Sequence, residues 1–411
     1  MNNMLTSIRQ SSKYLIVIIL VLTLWIRLDY ISHSEFKPVE YDQKNYSDMA
    51  VRLLDEGIYG YNKEGIPDSR VTPGYPLFVA AVYKIFGYSD IHDAQMNLRY
   101  VQAFIAPIYV WFIYLIGLRL FNRPVGLLAA LAAAVYGTYI WMASLLLTET
   151  IFMISMTALV YFQVRMMQNN QMKDHLWGGA ILGIMVLIRP NSIILAVTPY
   201  ILMMIKHRKL FIKQILWGVG AFAVIMLPWW IRNFITFHEI ILISNGVAGN
   251  ALLAGTDPYF YKTIPWNDIK FEDQGKVAIE RIKEGLRTRP LFWIQWFTVG
   301  KTSYMFLKTF YLGPYPMYVS PWYAEFIKFL HKAYVFIGIG GGLISLFWNR
   351  AVLFLFINFG LLLVVHLMFI PEARYTIGMM PYLMLITAYL LVTAVKFIYQ
   401  LIAGRKLEGS L

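Results

Sequence analysis

VGLLAALAAAVYGTYIWMASLLLTETIFMISMTALVYFQV, residues 125–164, holds a single charged side chain, Glu149. The run before it, Val125–Leu147, is 23 residues long, and Ile151–Val164 after it is 14. A hydrocarbon core about 30 Å thick takes about 20 apolar residues of helix to cross. The stretch therefore reads as two spans joined at Thr148-Glu149-Thr150. That leaves one carboxylate almost embedded where two apolar helices meet. It either caps the second helix, with Thr148 as N-cap, or is a partly desolvated acid of an active site.

Similar runs recur on both sides of this stretch. Tyr14–Ile26, Val101–Leu118, Leu176–Ile188, Ser192–Ile205, Ile215–Ile231, Phe326–Trp348, Ala351–Ile370 and Ile377–Val395 bring the candidate spans to ten. Tyr14–Ile26 has no small-residue cleavage site before Arg27, so it reads as an uncleaved first span. The 411 residues are 58% hydrophobic and only 14% charged, against roughly 25% charged in soluble domains. A soluble fold of this size cannot hide so much apolar side chain. The absence of cysteine excludes disulfides, thiol catalysis and Cys-based zinc sites.

The net charge of +13 sits mostly in short connections, so it reads as a topology signal and not as a nucleic-acid surface. Arg119 with Arg123, Arg165 with Lys173, Lys206–Lys209 with Lys213, Arg350, and Arg405 with Lys406 mark the cytoplasmic side. Residues 30–72 carry eight acids against five bases, as an external loop should. Both termini then fall inside if the apolar stretch Leu291–Leu312, interrupted by Lys301 and Lys308, lies along the outer surface. The expected architecture is an all-α polytopic membrane protein, one domain over residues 1–411. Two long external loops, residues 30–99 (with an interfacial helix) and 232–320, hold its polar chemistry.

The candidate residues lie where outer helix ends meet these loops. Asp42 follows the first span. Arg70 precedes the rigid turn Pro73-Gly74-Tyr75-Pro76. Leu176–Ile188 and Ser192–Ile205 are 13 and 14 residues long, about 20 Å of helix each, so Arg189 between them falls below the outer surface. Arg232 with Asn233 follows Trp229-Trp230-Ile231, and Arg374 sits in Pro371-Glu372-Ala373-Arg374-Tyr375. One such arginine is ordinary, and an arginine snorkelling from a helix end accounts for it. Four of them beside two carboxylates form a pattern, because guanidinium binds phosphate bidentately and is costly to leave alone in apolar surroundings. Arg27 with Asp29, and His366, are the main charged or titratable candidates within the spans.

With these motifs in order, the chain resembles the dolichyl-phosphate-mannose-protein mannosyltransferase and aminoarabinose-transferase superfamily of GT-C membrane glycosyltransferases. The resemblance rests on Asp42 with Tyr46 and Gly57-Ile58-Tyr59, then Arg70…Pro73-Gly74-Tyr75-Pro76-Leu77-Phe78 and Leu147-Thr148-Glu149. It continues through Ile188-Arg189-Pro190, Trp229-Trp230-Ile231-Arg232-Asn233 and Glu372-Ala373-Arg374-Tyr375, with Asn250–Pro258 as a further similar stretch. It implies a polyprenyl-phosphate sugar donor and a glycan, lipid or protein acceptor, met on the extracytoplasmic side. It also implies catalytic roles for Asp42 and Glu149, inversion at the anomeric carbon, and donor or acceptor contacts from Arg70, Tyr75, Arg189, Arg232, Asn233, Arg374 and Tyr375. Two departures stand out. Asp42 is flanked by Tyr41 and Gln43 where relatives often pair acids, and Ser69 replaces the carboxylate that precedes the basic residue in some relatives. No metal ligands are therefore assigned, and a divalent cation stays open. The alternative functions are a flippase or transporter, or a polymerase or ligase, of lipid-linked glycans.

Overall fold

The computed structural model describes residues 2–61, 65–245, 248–309 and 321–402. Among these, every regular element is helical. α1 (Asn2–Ser32) is followed by α2 (Tyr41–Asp55) and α3 (Gly74–Phe86) of the first loop, then α4 (Ile91–Ile105), α5 (Pro107–Leu120), α6 (Arg123–Val135) and α7 (Gly137–Met142). Next come α8 (Glu149–Asn169), α9 (Met172–Ile188), α10 (Val197–His207) and α11 (Ile212–Phe237). The second loop carries α12 (Ala248–Ala254), α13 (Gln274–Thr288), α14 (Pro290–Gln295) and α15 (Lys301–Phe306), and α16 (Pro321–Ser345), α17 (Arg350–Leu367) and α18 (Met380–Ile402) complete the chain.

Seven helical stretches are long and apolar enough to cross a membrane: Tyr14–Ser32, Ile91–Leu120, Glu149–Asn169, Ile212–Phe237, Glu325–Ser345, Arg350–Leu367 and Met380–Ile402. They match seven of the ten expected runs. The other three make shorter or broken helices, each for a local reason. Val125–Leu147 breaks after Val135, where Tyr136 is extended. A second break follows α7 at Ala143, and its polar backbone is taken up from α4: Gln102 Nε2 donates to the carbonyls of Ala143 and Leu145, and Arg99 Nε to that of Ser144. Irregular backbone in apolar surroundings survives only with such partners, and hydropathy does not reveal them. At Arg189 the cause is Pro190, which cannot continue α9 and holds its predecessor extended, φ −141° and ψ 100°. A 3₁₀ segment, Pro190–Ala196, then leads into α10.

Pro290–Phe306 is helical throughout, with a π turn at Trp296–Gly300. Residues 310–312 of the expected surface stretch, and the Arg405-Lys406 pair, lie outside the described residues. α9 and α11 pack closely because glycines face each other: a Cβ on Gly179 would stand 2.0 Å from the Gly218 carbonyl oxygen. Small residues of this kind let helices approach in apolar surroundings. Arg27 is fully buried, and it turns away from Asp29 to donate to the Thr23 and Ala134 carbonyls and the Tyr109 hydroxyl. His366 Nδ1 lies 2.7 Å from the Leu362 carbonyl one turn back.

Candidate active site

Four segments distant in sequence meet in one ionic network. Tyr41, at φ +50°, takes a left-handed conformation that costs a bulky residue roughly 1–2 kcal/mol. It opens α2 with Asp42 in the first turn. Gln43 Oε1 accepts from the Leu146 amide at 3.0 Å, tying α2 to the turn before α8. Glu149, the first residue of α8, is fully buried. Its Oε1 accepts from Arg189 Nη2 at 2.5 Å and from Arg374 Nε at 3.2 Å. Arg374 Nη1 reaches on to Asp42 Oδ2 at 3.5 Å, and Tyr61 donates its hydroxyl to Asp42 Oδ1 at 2.6 Å. The two carboxylates differ in access: the Asp42 side chain is 47% exposed and that of Glu149 is 0%.

Thr148 precedes α8 but makes no side-chain cap. Its hydroxyl accepts from Arg189 Nε at 2.8 Å instead, so the expected cap is replaced by a bond that orients Arg189. The arginine is further fixed over the Phe152 ring, 5.1 Å from its centroid. The Pro73-Gly74 turn presses on the same place. A Cβ on Gly74 would stand 2.7 Å from the Leu187 carbonyl oxygen and 2.7 Å from Ile188 Cγ1, at the end of α9 that presents Arg189. Gly74→Ala should therefore push α3 off α9. We expect a loss of about 1–3 kcal/mol in stability, which the melting temperature of the variant against wild type checks.

Burial opposes the charge of Arg374, but the carboxylates of Glu149, Asp42 and Glu372 outweigh it, so the guanidinium holds its proton more tightly than usual. Burial raises the Glu372 carboxyl; Arg374 opposes that, and the charges of Asp42 and Glu149 add to it. The Tyr61 phenol is raised by burial and by the Asp42 carboxylate that accepts its hydrogen bond, so it stays a donor. Tyr61 thus joins the network by its hydrogen bond to Asp42, and the Glu372 carboxyl lies close enough to feel its charges; the sequence singled out neither. Arg374 Nη2 and Arg189 Nη1 make no hydrogen bond among the described residues, which leaves N–H donors for an anion. Glu149 Oε2 is also buried without a partner.

The remaining sequence candidates lie elsewhere. Arg232 spends its guanidinium on the Asp68 and Tyr59 carbonyls and the Asn233 amide oxygen, between the rings of Tyr59, Trp229 and Phe237. Asn233 is fully buried and donates to the Ile241 carbonyl. Together they staple α11 to the first loop. Tyr75 is fully buried, its hydroxyl on Gln102 and its ring against Tyr46. Tyr375 packs on His366 with ring centroids 4.9 Å apart. Arg70 lies over Phe271 and lines a cavity of about 610 Å³ with Asp68, Phe237, Glu239, Asn245 and Glu272. Asp68 joins that cavity to the network, since its Oδ2 accepts from the amide of Tyr61.

No group of three or more His, Asp or Glu side chains among the described residues is arranged to hold a metal ion. Arg374 occupies the bridging position between Asp42 and Glu149. A metal-ligand set does not fit this arrangement.

Residues 70–231 match the family described as dolichyl-phosphate-mannose-protein mannosyltransferase. Among solved structures, the chain is similar to the archaeal oligosaccharyltransferase AglB from Archaeoglobus fulgidus in complex with an inhibitory peptide and a dolichol-phosphate. The TM-score is 0.58 at 13% identity, over 98% of this chain and 53% of that one. The apo form of the Archaeoglobus fulgidus oligosaccharyltransferase gives 0.57 at 13% identity, over 97% and 52%. The chain has the GT-C fold. ArnT from Cupriavidus metallidurans, bound to undecaprenyl phosphate, gives a TM-score of 0.43 at 13% identity, over 96% and 81%. No protein of curated function matches. The chain spans about half the length of the oligosaccharyltransferase. With this fold and seven helices of membrane-crossing length, it is a multi-pass membrane protein.

Proposed function

We propose that this protein transfers a sugar from a polyprenyl-phosphate donor to an acceptor hydroxyl on the extracytoplasmic side, with inversion at the anomeric carbon. The observation that carries the reading is the network in which Arg374 joins an accessible Asp42 to a buried Glu149 held by Arg189. A general base must reach the acceptor, and Asp42 is half exposed where Glu149 is not. Asp42 takes the acceptor proton as the acceptor oxygen bonds to the anomeric carbon. The bond from that carbon to the phosphate oxygen breaks, and its electron pair leaves with the polyprenyl phosphate. Arg374 and Arg189 face the growing negative charge with donors already in place, which lowers the barrier without reorganisation. Glu149 supports both arginines from behind. A dolichol-phosphate in the similar archaeal enzyme and the mannosyltransferase match over residues 70–231 support a lipid-phosphate donor.

The test is purified protein in lipid, offered a panel of polyprenyl-phosphate sugars and watched for acceptor-dependent release of free polyprenyl phosphate. Release from at least one donor is expected. No release from any donor, with lipid-linked sugar moved across vesicles instead, would establish the flippase reading. Arg70 lies in the adjoining cavity and outside the network, so Arg70→Ala should raise a substrate KM by about tenfold with kcat nearly kept, the pattern of lost uniform binding. A collapse of kcat would move Arg70 into the reacting centre.

A further inference from the structure

Lys301 opens α15 and is fully buried. Its Nζ donates to the carbonyls of Leu367, at 2.7 Å, and Phe369, at 2.9 Å. The Phe297 ring centroid is 3.8 Å from it and the Trp296 centroid 5.8 Å. The elements packed around this point also carry Asp257, Tyr304, His366, Glu372, Arg374 and Tyr375, and none of these makes a hydrogen bond or ion pair with the ammonium. A buried cation without a carboxylate is expensive, and here two backbone carbonyls offset part of that cost. What the ammonium supplies is a grip on the unpaired carbonyls at the C-terminal end of α17, made from another part of the chain.

Neighbouring contacts tighten the same junction. Trp296 Nε1 donates to the Gly255 carbonyl at 3.0 Å, and the Ile370 amide donates to the Ala251 carbonyl at 3.0 Å. Only glycine fits at 255, where a Cβ would stand 2.7 Å from the Phe369 carbonyl carbon and 2.9 Å from Lys301 Nζ. On the far side, Tyr139 donates its hydroxyl to the Ile377 carbonyl at 2.8 Å. Arg374 therefore sits on a short bridge anchored at 367–370 and at 377.

We propose that Lys301 is a positioning residue for Arg374: by gripping Leu367 and Phe369 from the external loop, it sets the register of the segment that places Arg374 between Asp42 and Glu149. In its effect on rate this rests on the sugar-transfer reading; in its effect on the segment it does not. Burial lowers the Lys301 ammonium to about 7, so the grip weakens as pH rises through that value. The folded state then holds fewer protons than the unfolded chain above pH 7. Lys301's own contribution to stability rises with pH there, so a falling rate would not reflect unfolding at this site.

The experiment compares wild type, Lys301→Met and Lys301→Arg in lipid nanodiscs. Amide hydrogen exchange of residues 371–377, at one pH, should be at least tenfold faster in Lys301→Met and restored in Lys301→Arg. In turnover, wild-type kcat should fall as pH rises through about 7, Lys301→Arg should lose that limb, and Lys301→Met should be at least tenfold lower at every pH. Unchanged exchange in a folded Lys301→Met overturns the proposal. If Lys301→Met does not fold, Lys301→Arg decides, because a wild-type pH limb retained in it overturns the proposal and its loss supports it. If wild type turns over no donor, the sugar-transfer reading fails while the exchange result still decides the grip.

Discussion

Asp42→Asn is expected to lower the proposed sugar transfer by about 10³-fold, within the range that loss of a general base produces, and to leave the protein folded and able to bind its donor. The structure separates the two effects. The Asp42 hydrogen bond from Tyr61 can be kept, because the asparagine amide oxygen accepts from the same hydroxyl. The ion pair with Arg374 is long, at 3.5 Å, and half exposed, so its loss should cost under about 1 kcal/mol. Arg374 keeps Glu149 as a partner, and the donors proposed to face the lipid phosphate stay in place. On the proposed mechanism, what disappears is the acceptor of the incoming hydroxyl's proton. Donor binding measured by calorimetry and turnover measured by release of lipid phosphate give the two readings. Unchanged turnover would remove Asp42 from the chemistry and favour a polymerase or ligase reading, which keeps the arginines and needs no base here. Weaker donor binding with turnover restored at saturation would make Asp42 a positioning group.

The fold was legible because it is written in hydropathy, which survives reading one residue at a time. Its misses were local. The irregular turn after α7 depends on Gln102 and Arg99, 41 and 45 residues from the carbonyls they hold, and nothing in Val125–Leu147 announces them. The ionic network was half legible. Asp42, Glu149, Arg189 and Arg374 could be picked out because a charge at an apolar helix end needs a partner, and the partners are each other. Arg232 gives the same signal in sequence, yet its partners are backbone carbonyls, which every residue carries and no residue type reveals. Tyr61 and Lys301 were passed over for the converse reason. A tyrosine in an aromatic-rich chain and a lysine in a loop look ordinary until the fold buries them against Asp42 or against the end of α17.

Arg374→Met is expected to damage stability and turnover together, which sets it apart from Asp42→Asn. Removing one partner of a buried ion pair typically costs about 3–5 kcal/mol. Here Arg189 remains on the same Glu149 oxygen, so a loss toward about 2–3 kcal/mol is expected. Asp42 then loses its cation and Glu149 keeps only Arg189, and the surplus negative charge opposes a phosphate. Transition-state stabilisation of the leaving group falls as well, and loss of a preorganised donor of this kind costs about 10²–10³-fold in kcat. Donor affinity should drop in the same variant. Arg374→Lys separates charge from geometry. It restores the cation but, lacking the planar fork, cannot hold Asp42 and Glu149 at once, so it should recover most of the stability and little of the rate. Thermal melting, donor binding and single-turnover kinetics on the three proteins make the comparison. If lysine restored full turnover, a point charge would suffice, and the bridge between the two carboxylates would have no part in catalysis.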